Sequence, residues 1–190
     1  METLRRAAGL IFRPRAEWER IARESTTVDE LLRHYILPLA ALAPLATSIG
    51  MRVFDRTWDP VHGYLVPPES IFAAAAATYF ASIGSIFALA GIFALIAPMF
   101  RCPRDFPAAL KVATYGAIPV LLAGVTLVLP VMAIVGVVAV CHSLFLYWLG
   151  ADRVLHVPDG QRAEFIGISV VLLGFASAFA GAIASSIGLL

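Results

Sequence analysis

Polar and apolar positions are segregated along this chain. Residues 34–51, 71–97, 112–151 and 165–190 contain no Asp, Glu, Lys or Arg. A helix crosses about 30 Å of hydrocarbon with about 20 apolar residues. The first, second and fourth runs each fit one helix. The third would be about 60 Å long at ~1.5 Å per residue and so crosses twice. Pro130 suits the first turn of a new helix and divides it. The pattern predicts an all-α polytopic membrane protein with five transmembrane helices, near 35–51, 70–97, 108–127, 130–150 and 165–190.

The N-terminal segment reads differently. Residues 1–33 hold seven Arg and six acids. Leu4, Ala8 and Ile11 share one helical face, and Pro14 opens a second helix that puts Trp18 and Ile21 together. Arg15, Glu19 and Arg23 lie at four-residue spacing on another face. Both pieces are expected to be amphipathic interfacial helices on the membrane, with Trp18 and Ile21 at the interface. Thr27 and Glu30 have capping-box spacing, so the next helix starts there and runs into the first span. The expected organisation is a cytoplasmic amphipathic segment, 1–33, followed by a transmembrane domain, 34–190.

Composition agrees, with 60% hydrophobic and 14% charged residues, against roughly 25% charged in a soluble domain. The N-terminus shows no cleavable signal, and Cys102 and Cys141 do not suggest a disulfide framework. With the N-terminus cytoplasmic, the inner segments carry 12 Lys or Arg and the outer ones 2. Positive charge favours the cytoplasmic side, so the N-terminus is expected inside and the C-terminus outside. Tyr147 and Trp148 then fall at the cytoplasmic interface.

Small residues form stripes. Ala77, Gly84 and Gly91 recur every seven residues, and Ser177, Gly181 and Ser185 every four. Such stripes let helices approach closely in lipid, so the second and fifth spans are expected to pack through them. A homo-oligomer face is the alternative reading of the same stripes.

Pro119 lies midway along the third span. It removes the helical bond to the Tyr115 carbonyl and crowds that carbonyl. Gly116 leaves room for a neighbour, so Tyr115, Gly116, Pro119 and Pro130 are read as structural kink positions buried against other spans. The sequence has no HExxH, GxSxG, P-loop or paired CxxC. No catalytic residue, cofactor or metal site is therefore expected. Cys141–His142 is the one chemically suggestive pair within a span, and a hydrogen-bonded structural histidine is the plainer account of it.

The run from Lys111 through Tyr115, Pro119, Pro130, Tyr147 and Gly150 to Pro158 resembles the signature half of the Yip family of five-span membrane proteins, in its bacterial branch. Phe12, Pro14, Trp18, Ile21, Tyr35, Pro38 and Leu39 extend the resemblance to the N-terminal pattern. The resemblance implies five spans and a cytoplasmic N-terminus, and offers no catalytic residues to transfer. The functional expectation is a non-enzymatic bacterial inner-membrane scaffold. Its partners would be the lipid bilayer and a protein met through the N-terminal segment, not nucleic acid. A channel or transporter for a small solute, with the Pro119 kink lining its path, is the alternative.

Overall fold

The computed structural model describes residues 2–53, 58–59, 64–65, 68–128 and 132–186. The fold is all-α. Two short helices, α1 (Glu2–Phe12) and α2 (Pro14–Arg23), form a hairpin. Among the described residues, five helices long and apolar enough to cross a membrane follow. They are α3 (Val28–Met51), α4 (Pro68–Ile96), α5 (Phe106–Ala123), α6 (Ala133–Arg153) and α7 (Arg162–Ser186). Between α3 and α4, Trp58–Asp59 and Tyr64–Leu65 form a two-residue antiparallel pair, Trp58 opposite Leu65.

Local chemistry sets the helix starts. Thr27 accepts from the Glu30 N–H at 3.2 Å, and Glu30 accepts from the Thr27 N–H at 2.9 Å, a complete capping box for α3. Asp105 caps α5 through the Ala108 N–H at 3.1 Å, with Pro107 in the first turn where no donor is lost. Thr27→Ala should cost about 1 kcal/mol. Thermal unfolding in detergent reads this out, and an unchanged midpoint would show the cap to be redundant.

α5 is the central helix. Every residue from Ala109 to Pro119 is buried, and α5 packs against α4 and α6. An aromatic cluster ties in the neighbours. Phe93 stacks on Phe165 at 5.3 Å and meets Tyr147 edge-on at 5.9 Å, while Phe100 meets Phe165 edge-on at 5.3 Å. α7 is peripheral, and most of its outer face is exposed, including Phe175 and Phe179.

α3 is irregular in its first half. Leu32–Ile36 forms a π-turn that ends two residues before Pro38. Proline has no N–H and crowds the carbonyl four residues back, which here is that of His34. The partner of that carbonyl comes from the hairpin.

Candidate functional site

A polar seam joins the hairpin to the spans. It follows from unfinished backbone. The last four carbonyls of any helix lack an internal partner. α1 and α2 both end against the bundle, and spanning helices complete them. His142 on α6 donates through Nε2 to the Leu10 carbonyl of α1 at 3.3 Å. Lys111 on α5 donates through Nζ to the carbonyls of Ile21 at 3.3 Å and Glu24 at 2.6 Å. A cation at a helix C-terminus also suits the macrodipole. In return, the Thr3 hydroxyl of α1 donates to the His34 carbonyl of α3 at 3.2 Å. The hairpin and three spans thus exchange hydrogen bonds, at the Leu10, Ile21 and Glu24 carbonyls by the hairpin's helix ends and at the His34 carbonyl within α3. Ile21 also accepts from the Glu24 N–H at 3.3 Å.

Charge closes the seam. Arg6 is buried and its Nη2 binds Glu24 at 2.8 Å, while Nη1 lies 3.4 Å from Glu17. Its guanidinium also sits 5.7 Å from the centre of the Tyr115 ring, within cation–π range. Burial works against the Arg6 charge, but the hydrogen bond and charge of Glu24 outweigh it, so the pKa of Arg6 is raised. Beneath Arg6, Tyr115 packs edge-on against Tyr35 at 5.0 Å and Trp18 at 6.4 Å. A cavity of about 320 Å³ opens beside them, lined by Thr3, Arg6, Glu24, Glu30, His34 and Tyr35 among others.

Trp18 and Ile21 therefore need correcting. Amphipathicity placed them at the membrane surface, but both are fully buried in the protein. The α1 residues Leu4, Ile11 and Phe12 are the ones left exposed. Trp18 reaches the backbone of α6, where a Cβ added at Gly150 would come 2.7 Å from its ring.

The small-residue stripes need a second correction. A Cβ at Gly84, Gly91 or Gly181 would meet nothing within 4 Å. Gly84, Ser177 and Gly181 instead line an open apolar groove of about 810 Å³ between α4 and α7. The side chain of Ser185 lies outside the described residues. Close backbone approaches occur elsewhere. A Cβ at Gly116 would enter the Tyr147 ring, one at Gly124 would meet Ala43 at 2.8 Å, and one at Gly50 the Val128 carbonyl at 2.8 Å. Heptad and four-residue spacing does not mark Gly50 or Gly124, because each is an isolated glycine against a close partner.

Tyr115, Gly116 and Pro119 all lie on the buried stretch of α5, and Pro130 falls outside the described residues. Tyr147 is half-buried between Gly116 and Phe93, whereas Trp148 is exposed beside Phe145 and Ile166. Cys102 is buried with its thiol toward the Phe100 carbonyl, and burial pushes its pKa up. Cys141 is exposed on α6.

Comparison with known proteins follows the same outline. The Yip1 domain family profile matches residues 8–181. Inner membrane protein YohC of Escherichia coli K12 is 25% identical over 178 residues, covering 87% of this chain and 88% of YohC. The same protein from Escherichia coli O6:H1 matches equally. No solved structure matches.

Proposed function

The chain belongs to the Yip1 domain family, and from that premise we propose that it is a non-enzymatic scaffold of a bacterial inner membrane. The N-terminal segment, residues 1–33, is its working part. α1 presents Leu4, Ile11 and Phe12 outward, flanked by Arg5 and Arg13, toward the bilayer and a protein partner. The seam fixes that surface to the bundle. The observation that carries this reading is the reciprocal hydrogen bonding of hairpin and spans through Lys111, His142 and Thr3. A segment that merely lay on the membrane would need no such partners. The Lys/Arg asymmetry supports a cytoplasmic N-terminus and an external C-terminus, and Tyr115, Gly116 and Pro119 serve as a buried structural bend.

Two measurements test the reading. A photo-crosslinking residue replacing Phe12, 81% exposed, should yield protein adducts in cells that disappear in Arg6→Ala. Purified protein in sealed vesicles should conduct no small solute. Uptake that disappears in Tyr115→Phe, with no Phe12 adduct, would favour the channel instead. For topology, the buried Cys102 is a poor reporter, so a cysteine replacing the exposed Arg104 is the better one. It should label only from the cytoplasmic side.

A further inference from the structure

A polar recess of about 660 Å³ opens among α2, α5 and α6, lined by Glu19, Arg23, Lys111, Asp152, Arg153 and His156 among others. Its charges do not balance. Arg153 lies 3.7 Å from Glu19 and 3.2 Å from Asp152, and Asp152 also binds Arg162 at 2.6 Å. The Glu24 carboxylate is taken by Arg6, and Asp105 caps α5. These pairs use every nearby acid. Lys111 is 9% exposed, yet among the described residues it has no carboxylate at salt-bridge distance, and neither has Arg23. Lys111 has three donors, and the carbonyls of Ile21 and Glu24 occupy two of them.

A buried cation is costly without a close counter-charge; Glu24 and Asp105 act on Lys111 only from beyond pairing distance and are already engaged with Arg6 and the α5 cap. Capping α2 explains Lys111 but not a recess beside it with a second unpaired cation at its rim. We propose that this recess binds a phosphate-bearing anion, held by Lys111 and Arg23 with Arg153 at the side. Lys111 lies about a turn and a half inside the start of α5. Basic pockets between spans on the cytoplasmic side are suited to phospholipid headgroups. Free phosphate offers the same chemistry from solution. The proposal goes beyond the scaffold reading and does not require a protein partner.

The test uses the full chain in detergent, with intact-complex mass spectrometry to count retained lipid and thermal melts to detect stabilisation. The probes are phosphatidylglycerol, phosphatidylcholine and inorganic phosphate. Phosphatidylglycerol should be retained in preference to phosphatidylcholine, and Arg23→Gln and Lys111→Gln should each weaken that retention about fivefold. Arg23 is exposed and unpaired, so its variant should fold even if Lys111→Gln does not. Arg101→Gln removes an exposed cation outside the recess lining and outside the N-terminal segment, and should leave retention unchanged. Stabilisation by phosphate alone, lost in Arg23→Gln, would keep the site and assign it to a soluble ligand. Equal losses in Arg101→Gln, or no effect of any probe, would overturn the proposal.

Discussion

Arg6→Ala should release the hairpin from the bundle and destabilise the protein by about 3 kcal/mol. The substitution leaves Glu24 without its cation and Glu17, whose side chain is 12% exposed, with only the exposed Arg20 at 3.7 Å. Removing one member of a buried pair leaves the other with an uncompensated desolvation cost, which here falls mainly on Glu17. The Glu24 side chain is 36% exposed, whereas that of Arg6 is 8% exposed. Glu24→Gln should therefore cost distinctly less, because water can reach the site and Glu17 remains. Arg6→Lys should fall between, since an ammonium cannot fork between two carboxylates as a guanidinium does. Chemical unfolding in detergent gives the order. Equal effects for Arg6→Ala and Glu24→Gln would show that Arg6 acts through packing alone.

Gly116→Ala should be the most damaging single-methyl change, at about 2 kcal/mol. The new Cβ would enter the Tyr147 ring, and that ring is itself held by Phe93. α5 and α6 would have to separate or Tyr147 leave its rotamer. Gly84→Ala and Gly181→Ala meet open space and should be neutral or stabilising by about 0.5 kcal/mol, the usual gain of alanine over glycine inside a helix. Thermal melts of the three variants separate the two classes. Loss of stability in Gly181→Ala matching that in Gly116→Ala would mean that the α4–α7 groove is filled by another helix.

The five spans were legible because charge exclusion over about 20 residues is a local property of the sequence. Helix starts were legible for the same reason, since Thr27 and Glu30 lie within one turn of each other. The seam was not. Lys111 meets Glu24 across 87 positions and His142 meets Leu10 across 132, and no periodicity encodes those pairings. The one available signal was chemical. Lys111 is the only lysine and sits at the edge of a span, a position that needs acceptors. The Trp18 face was read correctly as apolar but assigned to the wrong apolar medium. Amphipathicity reports that a face avoids water and cannot distinguish lipid from a neighbouring helix.

That distinction is also the most direct test of the seam. Trp58 and Trp148 can be replaced by Phe to leave Trp18 as the single fluorophore, and a second variant can retain only Trp148. Both are reconstituted in vesicles containing brominated lipid, which quenches indoles in contact with it. Trp148 is 37% exposed on the outer surface and Trp18 is fully buried against Tyr115 and Gly150. A docked hairpin predicts strong quenching of Trp148 and little of Trp18, with Trp18 quenching rising in Arg6→Ala. Trp18 quenched as strongly as Trp148 in the otherwise wild-type protein would mean that the hairpin lies in the lipid and the seam does not form.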